Sequence, residues 1–122
     1  MPTTADIARA YTALLLAGQF TAAGDQFWAA DIKSIEPRDL PSGSAAEAIG
    51  IAAARVKTAR WFEAQRIDDL TIDGPFVTGN QFALFMDMMI TNRASGNSQP
   101  FTEIAIFTVR DGRITEERFF YD

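Results

Sequence analysis

Two glutamates and a tyrosine are the side chains best placed by type and setting to move a proton. Glu36 ends a short extended run, Asp31 to Glu36, directly before Pro37. At the mouth of an apolar pocket the charged form of a carboxylate is disfavoured, which lifts its pKa toward the range useful for acid–base work. Glu103 interrupts an apolar face shared by Phe101, Ala105, Phe107 and Val109. A carboxylate there must be paired, hydrogen-bonded or protonated, because an isolated buried charge is strongly unfavourable. Tyr11 lies on the apolar side of a predicted first helix, where its hydroxyl could point at the same cavity as Glu36. Glu117 and Tyr121 alternate with Phe119 on the last extended run and would line the same volume. Several acids around one apolar cavity push their pKa values apart, which separates an acid from a base.

Each residue also has a plainer reading. Glu36 could be a solvated strand end, and Tyr11 a core aromatic whose hydroxyl finds a backbone partner. Glu103 could pair with Arg118 or Arg93 to fix sheet register. Trp28, Trp61, Phe62, Leu84, Met86 and Met88 are the expected ligand-binding walls, joined by Glu117, Phe119 and Tyr121. Aromatic and methionine side chains at such spacing are more often plain core, although methionines tolerate varied apolar shapes.

Composition narrows the chemistry. The chain has no cysteine and no histidine, which removes disulfide frameworks, zinc fingers and Ser–His–Asp triads. Eleven basic against sixteen acidic side chains give a net charge of −5, a surface that repels phosphate backbones, so no nucleic-acid partner is expected. Asp68, Asp69 and Asp73 form the one acidic cluster, but they fall on a strand pattern rather than a calcium-type loop. The glycines are scattered and make no phosphate-binding motif. Arg55, Lys57 and Arg60 read as a solvated helix face. No metal and no cofactor are therefore expected. The start MPTTADIARA lacks a secretory pattern, and the longest apolar stretch, Phe82 to Ile90, is too short to span a bilayer. A cytoplasmic protein without a membrane partner is the simplest expectation.

The elements that must position these residues follow from periodicity. Thr3 and Asp6 suit a helix start, Ile7, Tyr11, Leu14 and Leu15 share one face, and Gly18 stops the helix. A second helix is expected from Gln19 to about Trp28. Ser44-Ala-Ala-Glu47 reads as a capping box that opens the longest helix, with Ile49, Ala52, Val56 and Ala59 on its buried side and Ala64 near its end. Extended runs follow at Arg66–Asp73, Gln81–Arg93, Phe101–Arg110 and Arg113–Tyr121, with Asp111-Gly112 as a hairpin turn. The expected fold is α+β, three N-terminal helices packed on a curved, mostly antiparallel sheet, in a single domain over residues 1–122. Both faces of Phe82–Ile90 are apolar, since Leu84, Met86, Met88 and Ile90 alternate with Ala83, Phe85 and Met89. One face meets the helices, and the other calls for a cover, most economically a second copy in a homodimer.

The order helix, helix, strand with Glu-Pro, long helix and four long strands resembles the NTF2-like cone, and within it the SnoaL-like proteins. The run Glu103-Ile-Ala-Ile-Phe-Thr-Val-Arg-Asp-Gly-Arg-Ile114, followed by Glu117-Arg-Phe-Phe-Tyr-Asp122, resembles the closing hairpin of such domains. The resemblance implies a curved sheet around a helix, a conical pocket and dimerisation through the outer face. The superfamily includes ketosteroid isomerases, polyketide cyclases and limonene-epoxide-hydrolase-like enzymes, so fold alone does not name a reaction. Tyr11 and Glu36 match the isomerases' oxyanion donor and proton shuttle, whereas Ala105 stands where they carry a protonated aspartic acid. Phe119 replaces the key aspartate of the epoxide hydrolases, and Asp87 lacks their neighbouring arginine. The implied activity is proton transfer on a small apolar, ring-containing carbonyl or polyketide-like molecule, with Glu36 as base, Tyr11 as donor and Glu103 as acid or orienting group. The alternatives are a non-catalytic binder of a small apolar ligand and a dimerisation scaffold.

Overall fold

The computed structural model describes all 122 residues. In chain order the elements are α1 (Thr4–Leu16), α2 (Phe20–Phe27), β1 (Trp28–Ile35), β2 (Glu47–Ile49), α3 (Ile51–Ala64), β3 (Gln65–Thr78), β4 (Gln81–Asn92), β5 (Ser98–Arg110) and β6 (Arg113–Phe120). The expectation of three N-terminal helices is corrected: two precede the sheet, and the third lies between β2 and β3. The Thr3 hydroxyl accepts from the Asp6 N–H while the Asp6 carboxylate accepts from the Thr3 N–H, a reciprocal cap that starts α1.

The box read at Ser44–Glu47 does not cap a helix. Glu47–Ile49 pairs antiparallel with β1, and Gly50, at φ +92, turns the chain into α3. The free edge of β1 outcompetes the local signal: the Gly50 N–H donates to the Ile32 carbonyl at 2.7 Å, and the Glu36 N–H to that of Ala46 at 2.7 Å. Starting the helix at Ile51 also changes its buried face. Ala54, Lys57 and Trp61 turn inward, while Val56, expected inside, is 48% exposed.

The strands form one sheet in the order β2-β1-β6-β5-β4-β3, antiparallel except for the parallel pair β1–β6. Irregularities at Ile67/Asp69, Asp73/Phe76 and Thr108/Val109 bend the ladder, and α1 and α3 pack on the resulting concave side. Alternation on β4 is sharp: Phe82, Leu84, Met86, Met88 and Ile90 are buried, whereas Phe85 and Met89 are about 40% exposed. Phe82 stacks on Phe107 at 4.6 Å, and Tyr11 packs edge-on against both and against Phe27. At Gly24, where α2 approaches β1, a Cβ would lie 3.0 Å from the Trp28 ring, so a larger residue needs the indole to give by a few tenths of an ångström. No helix is long and apolar enough to cross a membrane.

Candidate functional site

The apolar interior is broken by a few buried polar side chains, among them Ser34, Lys57 and Glu117. Register brings them together. Ser34 on β1 is the partner of Glu117 on β6, and Glu36 lies two residues further along the same face of the chain. Glu117 faces Phe107 across β5–β6, Phe119 faces Ala105, and Glu103 faces Met86 across β4–β5, so all three acids look to the concave side. From the opposite wall α1 contributes Tyr11 and α3 contributes Lys57. Between them lies a cavity of about 100 Å³, walled chiefly by apolar side chains such as Leu15, Phe20, Trp61, Phe62, Met86 and Met88. A volume of that size exceeds the space needed by one water several-fold.

The polar groups form two tiers. In the inner tier, which is fully buried, the Ser34 hydroxyl donates to Glu117 Oε2 at 2.5 Å and the Trp28 indole N–H donates to the Tyr11 hydroxyl at 3.2 Å. The other Glu117 oxygen has no protein partner, and no protein group accepts the Tyr11 proton. In the outer tier Glu36 is held from both sides. Its Oε2 accepts from Lys57 Nζ and its Oε1 from the Tyr121 hydroxyl, each at 2.8 Å. The ion pair is sheltered, with side chains 7% and 9% exposed for Lys57 and Glu36. Lys57 also lies 5.2 Å from the centre of the Phe119 ring, and Arg38 stacks at the same distance on Tyr121. Glu103 has no hydrogen bond and no ion pair.

Burial dominates the electrostatics. It pushes the Glu103 carboxyl up to about 8, reinforced by Glu36 and Glu117 and opposed by Lys57. It pushes Glu117 up to about 7, against the pull of Lys57 and the Ser34 hydroxyl. Tyr11 is raised well above the ordinary phenol value by burial and then by the nearby Glu117. Tyr121 is raised by burial and by Glu36. Two carboxyls that titrate near neutrality beside an available phenol proton are equipped for proton transfer.

Of the residues expected from sequence, Tyr11, Trp28, Glu36, Trp61, Phe62, Met86, Met88, Glu103, Glu117 and Phe119 all line the cavity. Leu84 does not: it is wholly buried, opposite Ala105, in the core beyond the cavity. Tyr121 is not part of the lining either, and acts on it by holding Glu36. Neither arginine proposed for Glu103 reaches it, since Arg93 donates to the Phe62 carbonyl at 2.9 Å and Arg118 lies 3.7 Å from Glu116. Asp68 sits on the edge strand, bonded to Arg66 and Thr91. The main omission is Lys57, read from sequence as solvated. Its helical spacing with Ala54 and Trp61 was the available signal, but a lysine on that stripe reads as a break in it.

The SnoaL-like domain family model matches residues 2–121. Among solved structures, a protein from Mesorhizobium loti with the provisional name SnoaL-like polyketide cyclase is 37% identical, with 98% of this chain and 100% of that chain covered and a TM-score of 0.90. An NTF2-like protein from Burkholderia thailandensis is 20% identical, with 100% and 92% covered and a TM-score of 0.83. TerC, crystallised with polyporic acid, is 16% identical, with 98% and 91% covered and a TM-score of 0.78. No curated protein matches. A match over almost the whole length, with a relative at 37% identity sharing the same cone of helices and sheet, places this chain in the SnoaL-like domain family.

Proposed function

We propose that the protein is a cofactor-independent enzyme that moves a proton on a small apolar, ring-containing carbonyl compound. The observation that carries this reading is the pairing of an available Tyr11 hydroxyl proton with a buried Glu117 that titrates near 7 and keeps one oxygen free. The substrate carbonyl oxygen accepts from Tyr11. Glu117 removes a proton from the adjacent carbon, leaving an enolate that Tyr11 stabilises, and returns the proton at a second carbon. Glu36 is a weaker candidate for the base, because both of its oxygens are engaged by Lys57 and Tyr121. It serves as a positioning residue, and Glu103 orients the ligand. The name of the Mesorhizobium relative and the polyporic acid in TerC support a polyketide-like or similar small organic substrate.

A thermal-shift screen against steroids, aromatic polyketides, terpenoids and fatty acids finds the ligand, and exchange of its acidic C–H in D2O, followed by proton NMR, reads the chemistry. Glu117→Gln is expected to slow exchange by about 10²–10⁴-fold while leaving affinity within a few-fold. Undiminished exchange in that variant removes Glu117 from the mechanism. Binding by the wild type without exchange leaves a non-catalytic binder.

We also propose a homodimer through the outer sheet face. Phe85, Ile104 and Phe120 form a cross-strand apolar row, each more than 40% exposed. Asp69, Asp73 and Asp87 share this face on the β3–β4 side, whereas on the β1–β6 side Lys33 and Arg118 are balanced by Glu47 and Glu116. A two-fold axis can lay the acidic flank of one copy on the charge-balanced flank of the other, which keeps the two acidic flanks apart. Light scattering is expected to give twice the chain mass at micromolar concentration and a monomer for Ile104→Lys. A monomeric wild type overturns the assignment.

A further inference from the structure

We infer that the cavity is shaped and charged for a ligand that carries a positively charged nitrogen on an apolar body, with Glu103 as its counter-charge. The inference rests on the cavity being a small-molecule site, as proposed above, but not on any reaction taking place there. It follows from which charges face the cavity and which of them are already matched. Three carboxylates line it, Glu36, Glu103 and Glu117, against a single basic side chain, Lys57. Lys57 is committed to Glu36 at 2.8 Å. The nearby arginines are directed elsewhere: Arg38 to the Tyr121 ring, Arg93 to the Phe62 carbonyl and Arg118 toward Glu116. Glu117 has at least the Ser34 hydroxyl, whereas Glu103 has no partner.

An unmatched carboxylate beside a wall of ring faces is the arrangement that recognises organic cations, through charge on one side and the aromatic quadrupole on the other. The protein's own ammonium group already uses this wall, since Lys57 lies over Phe119. Trp61 and Phe62, packed edge-to-face at 5.0 Å, offer further ring surface in the same cavity. An anionic ligand would face three carboxyl groups and make each still harder to ionise. A neutral ligand would leave Glu103 to remain protonated, while a cation supplies the missing partner.

The groups that face Glu103 are Glu36, Glu117, Tyr121 and Lys57, and of these only Lys57 favours its ionised form. With Glu103 titrating near 8 and Glu117 near 7, an ammonium ligand displaces a proton as it binds. Its affinity is therefore expected to rise with pH through this range.

The test compares three probes with the same indole body: tryptamine, tryptophol and indole-3-acetate. Calorimetry at about pH 6 and about pH 8.5 spans the ionisation of both carboxyls. At the higher pH tryptamine is expected to bind at least tenfold more tightly than tryptophol, with indole-3-acetate weakest, and the gap should narrow at the lower pH. Phenethylamine and 2-phenylethanol repeat the comparison with a smaller body. Glu103→Gln is expected to abolish the amine preference, bringing tryptamine down to the affinity of tryptophol. Should that variant not fold, titration of the wild type in buffers of different ionisation enthalpy reads the same event as release of about one proton at pH 7. Equal or tighter binding of the neutral probes, survival of the preference in Glu103→Gln, the absence of proton release, or failure of every amine to bind overturns the inference. Neutral-probe binding without amine preference leaves the proton-transfer reading intact. Amine preference without C–H exchange has the opposite meaning.

Discussion

Stability in urea is expected to fall by several kcal/mol as pH rises from about 5 to about 8, the reverse of the acid-side loss most proteins show. Glu103 and Glu117 are raised from an ordinary 4.5 to about 8 and about 7 in the folded chain. Between these values the folded protein holds protons that the unfolded chain has released. Stability therefore declines with rising pH across this window. Below about 4.5 both states are protonated, so neither carboxyl penalises folding, and above about 8 both states are ionised and the penalty is complete. At about 1.36 kcal/mol for each unit between folded and unfolded values, each carboxyl contributes on the order of 3–5 kcal/mol. The two interact, so they titrate as a pair rather than as separate groups. Asp6 and Asp68, both held low by hydrogen bonds from Thr3 and Thr91, act only at more acid pH and leave this window clear. Glu103→Gln and Glu117→Gln should each flatten the profile and raise stability at pH 8. A profile that is flat or rising between pH 5 and 8 would mean that neither carboxyl is desolvated.

The parts legible in the sequence were those set by near neighbours along the chain. The Thr3–Asp6 cap and the alternation of β4 need only a few residues to express themselves, and both are present in the fold. Glu103 was legible for a related reason: it shares the parity of Phe101, Ala105, Phe107 and Val109, so the strand carries it inward, and Glu117 is carried inward with Phe119. The Ser44–Glu47 signal failed because its competitor, the backbone edge of β1, is distant in sequence and satisfies the same chain with ladder hydrogen bonds. Lys57 was hidden by a similar non-local effect. A lysine is ordinarily solvated, and only the arrival of Glu36 from another element gives its ammonium group a reason to be buried. That same arrival changed the reading of Glu36, from a free carboxylate to one with both oxygens engaged. Which acids face the cavity is thus a property of strand parity, whereas which of them is free depends on a helix side chain and a C-terminal tyrosine that no local pattern connects.

Lys57→Met is expected to destabilise the protein by about 3–5 kcal/mol, because it leaves the Glu36 carboxylate buried with only the Tyr121 hydroxyl as partner. For a chain of this length that corresponds to a fall in Tm of roughly 10–20 °C. The double variant Lys57→Met with Glu36→Gln should recover most of the loss, since a neutral amide needs no counter-charge and methionine fills much of the lysine stem's volume. The contrast between single and double variants separates two accounts of the pair. If the ion pair mainly stabilises, both variants are weak. If it holds Glu36 ionised at a fixed place beside Glu103, only the single variant suffers, and a second consequence follows. Lys57 is the one cation that lowers both Glu103 and Glu117, so its loss must move their titration to higher pH and carry the decline in stability with it. A Lys57→Met protein of unchanged Tm and unchanged pH profile would show that water, rather than the lysine, solvates Glu36, and that the outer tier is open to solvent.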